Sequence, residues 1–335
     1  MPFPLLSLPF VARKEVIKTL SLQEIFYVSL LSLRSRITVQ SSLEAQKIDA
    51  TIENGVEFSV SNSKSSFAIH LKEPEQLPTS HEYCTLFQKE TRVSRCIIFN
   101  NDFLFVATTD WKTLFKPLMD LLIETFNTRR LTVHLSPQPH LQYPQDYLEL
   151  LEALKSSKIH QLTVNIPSES LINVVYQKIM DQFRGARKIE LNGLASDGFK
   201  YRSQSEEEFK WEEARIRDPR PFETETLLKI FANCEELYFD MEATWNVKDL
   251  LQKWIQGSRL KELEIPYRDS IEQLFEGMEA KRIRNIWKSP ELGRRGAAND
   301  YCYLIKQNNS GIKAIIFLDH GNLRLTTDFE GVDSD

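Results

Sequence analysis

Cysteine and glycine are both scarce in this chain, and their scarcity narrows its chemistry before any motif is read. The four cysteines in 335 residues, Cys84, Cys96, Cys234 and Cys302, stand far apart without CxxC spacing. A disulfide framework and a zinc site are therefore set aside, and the thiols are expected to be reduced. The eleven glycines form no Gly-rich loop after any strand-like run, which argues against a nucleotide-binding sheet, and neither a GxxxxGK[ST] nor a GxSxG segment occurs. The six histidines, His70, His81, His134, His140, His160 and His320, include no HExxH pair and are expected to be packed or solvated. Catalysis has no named candidate and no cofactor is expected. No apolar run approaches the roughly 20 residues of a membrane helix, and the apolar, Pro-containing start lacks the basic region and cleavage pattern of a signal peptide. The expected compartment is cytosol or nucleus. A net charge of −5 gives no general attraction to nucleic acid or anionic membrane, so neither is expected as a partner.

Core material is plentiful: 41% of the residues are hydrophobic and 27% charged, enough for two or three cores at this length. The most informative stretch is residues 3–36, which hold three short apolar helices in a segment too small to fold alone. Pro4-Leu5 and Leu8-Pro9 favour extended chain leading into a helix start. Val16, Ile17 and Leu20 fall on one helical stripe. Ser21-Leu22-Gln23-Glu24 is a capping box, with Leu20 and Ile25 at the two staple positions. The helix that follows carries Ile25, Phe26, Val28 and Leu30, more apolar surface than one neighbour hides.

This order of features, Leu8-Pro9, Val16-Ile17, Leu20, Ser21-x-x-Glu24-Ile25, then Ser32 before Arg34 and Arg36, resembles the F-box. The resemblance implies docking on a Skp-type adaptor, and through it on a cullin, in an SCF ubiquitin ligase. The residues it assigns to adaptor contact are Pro4, Leu5, Leu8, Pro9, Val16, Ile17, Leu20, Leu22 and Ile25, several of which must instead pack the three helices together. A helical cap on the next domain is the plain alternative.

Beyond residue 43 the pattern turns to alternating runs, Ile48–Ile52, Val56–Val60 and Phe67–Leu71, around an Asn54-Gly55 turn that signals a hairpin. Residues 43–130 are expected to hold this β-rich connector and a first strand–helix unit. Short β-like runs then recur, and their apolar residues Leu131, Leu162, Ile189, Leu237 and Leu263 are 31, 27, 48 and 26 residues apart. Helical stripes lie between them: Tyr147, Leu150, Leu151 and Leu154; Leu171, Val174, Val175 and Ile179; Leu227, Leu228 and Phe231; Val247, Leu250, Leu251 and Trp254. The expected fold class is α/β, with the three helices and connector followed by leucine-rich-repeat-like strand–helix units across 131–280 and a closing C-terminal hairpin within 281–335. A doubly wound sheet is the rival.

The long interval arises from residues 195–221, a charged stretch read as a projecting loop whose Phe199, Tyr201, Phe209 and Trp211 suit a recognition surface; the alternative is an insertion whose aromatics fold back. Leu250–Ser258, a helix expected to end at Gly257, followed by the strand-like Leu260-Lys261-Glu262-Leu263, together with Tyr301–Ala314 and its Asn308–Gly311 turn, resembles the type 2 F-box-associated domain, a family expanded in nematodes. With the F-box, the likeness spans nearly the whole chain. It implies a substrate receptor that binds an unidentified protein through its C-terminal domain and leaves the chemistry to other subunits. A non-degradative adaptor-bound scaffold is the alternative, and an enzyme whose residues converge only on folding is a third. A basic cluster, Lys281, Arg282, Arg284, Lys288, Arg294 and Arg295 around Trp287, sets six cations against Glu291. It suits an acidic or phosphorylated substrate segment, with Arg282 and Arg284 as the named contacts, or RNA phosphates; a solvated linker is the alternative.

Overall fold

The computed structural model describes residues 5–52, 56–72, 75, 82–86, 89–98, 101–108, 110–128, 130–136, 144–166, 172–204, 207–242, 245–284 and 301–329. It is a mixed α/β protein in which three N-terminal helices precede extensive β-sheet. The chain divides into two compact units, Met1–Thr163 and Val164–Asp335.

In the first unit a 3-10 turn (Leu5–Ser7) leads into α1 (Phe10–Thr19), α2 (Leu22–Leu31) and α3 (Leu33–Ser42). The capping box is in place: Ser21 N donates to Glu24 Oε2 at 2.8 Å and Glu24 N to Ser21 Oγ at 3.2 Å. There follow β1 (Lys47–Ile52), β2 (Val56–Ser61), β3 (Ser66–Lys72), β4 (Glu82–Leu86), β5 (Lys89–Ile98), β6 (Asn101–Ala107), α4 (Trp111–Thr125), β7 (Arg130–Leu135) and α5 (Pro144–Leu154). The strands lie in the order β4-β5-β6-β3-β2-β1-β7. β3 with β6 and β1 with β7 run parallel, the other neighbours antiparallel. The expected hairpin is β1–β2, with Ile52 opposite Val56; its Asn54-Gly55 turn lies outside the described residues, as do Pro74 and Pro78.

Alternation sets which side of this sheet is covered. Val56, Phe58 and Val60 of β2 and Phe67, Ile69 and Leu71 of β3 are buried, and Phe58 meets Phe115 of α4 at 5.3 Å between ring centres. The α4 residues Phe115, Leu118, Met119 and Leu122 form one buried stripe at helical spacing. The N-terminal helices join this same core. Phe26 of α2 packs on Phe67 at 5.6 Å, Thr125 Oγ1 donates to the Ser29 hydroxyl at 3.2 Å, and Arg36 of α3 pairs with Glu124 at 3.1 Å. Much of the apolar surface of α2 is thus covered by the chain itself, as the cap alternative requires.

Strand β8 (Gln161–Asn165) spans the division. The second unit continues with α6 (Ile172–Gln182), β9 (Lys188–Asn192), β10 (Glu213–Ile216), α7 (Thr224–Asn233), β11 (Glu236–Phe239), α8 (Val247–Gln256), β12 (Glu262–Pro266), α9 (Ile271–Leu274), β13 (Lys281–Arg284), β14 (Tyr301–Lys306), β15 (Lys313–Asp319) and β16 (Asn322–Thr326). Strands β9, β10, β11 and β12 lie side by side in chain order, all parallel. β16 pairs antiparallel with β12, and the order runs on through β15 and β14 to β13.

The register shows why one interval looked too long. Ile189 pairs with Ala214, Ala214 with Leu237 and Leu237 with Leu263. The apparent step of 48 is therefore two ordinary steps of 25 and 23 residues, with β10 between them. Four residues, Glu213-Ala214-Arg215-Ile216, offer only two apolar positions, too short a run to stand out by periodicity. The buried alternates Ile189, Leu191, Ala214, Ile216, Leu237 and Leu263 form the apolar side of this sheet, and buried stripes on α6 and α8 supply the matching helical surface. Val174, placed on the α6 stripe by spacing, is 44% exposed, and Leu171 lies outside the described residues. The closing hairpin is present as β14–β15, with Ile305 opposite Ala314. Its partner β16, not anticipated, follows a two-residue turn in which His320 and Gly321 both take positive φ (52° and 84°), the geometry that keeps a tight hairpin in twist with its strands.

Candidate interaction surfaces

The N-terminal helices sort into a buried set and an exposed set, and the division differs from the expected adaptor contacts. Ile17, Leu22 and Ile25 are buried to within 4% and hold the helices together, so they are not available to a partner. Leu5, Leu8, Val16 and Leu20 are half-buried, Pro9 is exposed at the head of α1, and Pro4 lies outside the described residues. Apolar surface is displayed instead by residues that motif spacing did not pick out: Phe10 (52% exposed), Val11 (72%), Leu31 (77%), Leu33 (68%) and Ile37 (56%). Leu33 and Ile37 stand four apart on α3 and so share one helix face. That i,i+4 apolar pair, in a helix whose one other apolar residue is the buried Val39, was the available signal. One serine fixes the two helix ends that present Leu31 and Leu33. Ser32 caps α3, accepting from Ser35 N at 3.1 Å, and its extended backbone breaks the helix between Leu31 and Leu33.

The 195–221 stretch does not project. Tyr201, Phe209 and Trp211 are 1%, 4% and 0% exposed, and Phe199 is half-buried; the first three are core residues and present no recognition surface. Their anchor is Arg184, itself 3% exposed, just beyond α6. Its Nη2 donates to Tyr201 OH at 2.7 Å and Ser203 Oγ at 2.6 Å, its Nε to Met180 O at 3.0 Å, and its Nη1 to Glu207 O. The guanidinium lies 4.5 Å over the Phe209 ring and 3.3 Å from Asp181. Asp181 also accepts from Tyr201 OH at 2.7 Å. Burial, then the bond to the Asp181 carboxylate, pushes the Tyr201 phenol up to about 12. Trp211 donates its indole N–H to Phe183 O at 3.0 Å. Farther on, Asp218, fully buried, receives Ala195 N and a bidentate Arg220 guanidinium, each at 2.9 Å. Three charges of the stretch also pair with distant chain, Glu212 with Arg187, Glu213 with Lys188 and Arg220 with Asp197, a placement composition does not reveal.

The basic cluster is partly described. Lys288, Arg294, Arg295, Trp287 and Glu291 lie outside the described residues, and of Arg284 only the backbone, in β13, is described. Arg282 is exposed, stacks 4.2 Å over the Tyr301 ring and stands 4.0 Å from Glu272, so its charge already has two neighbours.

Two cavities flank the Gln307–Ile312 turn of the second unit. One, of about 520 Å³, is lined by Arg259, Lys261, Glu235, Ser258, Asn309 and Ser310 among others. Here Glu235 takes both cations, Arg259 at 2.9 Å and Lys261 at 2.7 Å, and those bonds, Lys261's first, hold its carboxyl below the usual range. The other, of about 550 Å³, is lined by Lys281, Lys306, Lys313, Glu279, Ile255 and Leu304 among others. The turn between them is fixed by Gln307 Nε2 donating to Ser258 O and Asn308 N to Ile255 O, both at 2.8 Å. Gly257 ends α8 at φ 130°, the glycine stop expected from sequence.

Among the described residues no three His, Cys, Asp or Glu side chains gather as metal ligands, and no helix is long and apolar enough to cross a membrane. His81 and His140 lie outside the described residues. Burial pushes the Cys234 thiol up to about 12 and the Cys302 thiol up to about 11. Comparison with protein-family models, curated proteins and solved structures finds no match to the chain.

Proposed function

We propose that the chain is the substrate-recognition subunit of an SCF-type ubiquitin ligase, binding the Skp-type adaptor through its N-terminal helices and a protein substrate through its second unit. One observation carries the reading. Five of the nine exposed large hydrophobic side chains among the described residues fall within residues 10–37, in the segment whose order of motifs resembles the F-box. Such a concentration supports an interaction surface, and it persists although α2 is already packed on its own unit. The parallel strands β9 to β12, laid down in chain order with helices between most of them, support the leucine-rich-repeat-like reading of the substrate-binding part. Ligation by such a subunit needs no reactive side chain, because holding the substrate near activated ubiquitin raises its effective concentration.

Deleting residues 1–42 is a poor test, since it uncovers Phe67 and Thr125 in the core. Co-purification of the full chain with the adaptor and cullin is better compared with Leu31→Glu/Leu33→Glu, both at exposed positions. Capture by the wild type and loss in the double variant, at unchanged helix content, is the expected result. Equal capture by both removes the assigned surface; no capture by either removes the ligase reading.

A further inference from the structure

The cavity of about 550 Å³ has three lysines, Lys281, Lys306 and Lys313, against one carboxylate, Glu279. Two of them are set directly across from each other, Lys306 of β14 opposite Lys313 of β15. Like charges facing each other across a strand pair destabilise it, and the neighbouring cavity shows the usual remedy, a carboxylate shared by Arg259 and Lys261. The cross-strand lysine pair costs stability in an otherwise acidic chain of net charge −5, and an incoming anion would relieve it. Leu304, two residues before Lys306, alternates onto the same side of β14, and Lys281 stands opposite Leu304 in β13. The cations therefore surround an apolar floor that includes Ile255.

We infer that this groove binds an acidic peptide segment in which an apolar side chain is flanked by carboxylate or phosphate groups. The apolar residue seats on Leu304 and Ile255, and the flanking anions bridge Lys306, Lys313 and Lys281. A peptide fits better than a nucleic acid strand: among the described residues lining the groove there is no aromatic on which a base would stack and no arginine. The inference rests on the substrate-receptor reading above and names the chemistry its substrate would carry.

The test uses the full chain and a fluorescein-labelled Glu-Glu-Leu-Glu-Glu peptide, read by anisotropy at low salt. A Lys-Lys-Leu-Lys-Lys peptide and a short oligouridylate serve as comparators. The acidic peptide is expected to bind and the basic one not. Lys306→Ala and Lys313→Ala should each weaken binding about tenfold, the loss of one charge-assisted hydrogen bond, while melting no lower than the wild type because a like-charge pair is gone. Lys229→Ala, an exposed α7 lysine paired with Glu225, should bind as the wild type does. Equal binding of acidic and basic peptides, wild-type affinity in both lysine variants, or tighter binding of the oligouridylate than of the peptide would each overturn the inference. Because no adaptor is present, its failure is separate from failure of the ligase reading: adaptor capture with no peptide binding leaves the receptor standing and the groove refuted.

Discussion

Arg184→Ala should loosen residues 199–211 before it unfolds anything else. The side chain is 3% exposed, and truncation removes its bonds to Tyr201, Ser203, Met180 O and Glu207 O, its stacking on Phe209 and its ion pair with Asp181. Breaking a buried pair by removing one partner typically costs about 3–5 kcal/mol. The lower end is expected here, because Asp181 keeps three other donors: Tyr201 OH, Gln204 N and Gln177 Nε2. The carboxylate therefore keeps its partners, while Met180 O and Glu207 O each lose the Arg184 donor. A loss of about 3 kcal/mol is roughly a factor of 150 in the local closing equilibrium. Because the chain has two units, a single global transition is not assumed, and the assay should be local. Limited digestion with a glutamyl endopeptidase reports opening at Glu207 and Glu208, with urea unfolding followed by circular dichroism alongside. Faster cleavage at those sites at unchanged overall helix content fits the packing described. Cleavage at the wild-type rate, with an unchanged urea midpoint, would show that Arg184 does not hold the segment.

Alkali should act through the buried phenols. Tyr147, Tyr176 and Tyr238 are pushed up with Tyr201, first by burial, and a folded value above the unfolded one means a stabilisation fully present below pH 10 and lost as pH rises through the folded value, about 12 for Tyr201. Tyrosinate absorbance should therefore lag behind that of the urea-unfolded chain above pH 10; coincident curves would contradict this. With thiols raised to about 12 and 11, Cys234 and Cys302 should resist iodoacetamide at pH 8 until denaturant is added, followed residue by residue by mass spectrometry. Gly257→Ala should destabilise the second unit by about 1–2 kcal/mol, the cost of a positive φ for an L-residue, with the exposed Asn309 side-chain amide that a Cβ there meets turning aside; an unchanged melting temperature would argue against backbone strain at this helix end.

What the sequence showed and what it hid follow from the range of the interactions. Local signals were readable: the Ser21–Glu24 capping box, the Gly257 stop, the β1–β2 and β14–β15 hairpins and the α5 and α8 stripes each depend on residues within a turn or two. The mixed α/β class with three leading helices was readable for the same reason. Partnerships set by distant chain were not. Tyr201 and Trp211 look like surface aromatics until Arg184 and Phe183, more than 15 residues earlier, close on them. β10 has too few residues to show a period. Which residues of the N-terminal helices face outward was not readable, because motif spacing marks positions that matter without telling the inward from the outward ones. Ile17, Leu22 and Ile25 turn inward; Phe10, Leu31 and Leu33 turn out. The pairing of Lys306 with Lys313 needed the hairpin register.

The central claim, that the N-terminal helices present an adaptor-binding surface, is tested most directly by calorimetric titration of the purified Skp-type adaptor into the full chain and into Leu31→Glu/Leu33→Glu. Burying one leucine side chain contributes about 1.5–3 kcal/mol, so losing two should weaken binding roughly a hundredfold or more while circular dichroism stays the same. Saturable binding to the wild type with that loss in the variant is the predicted result; no heat of binding to the wild type, or equal affinity for both chains, would contradict the account.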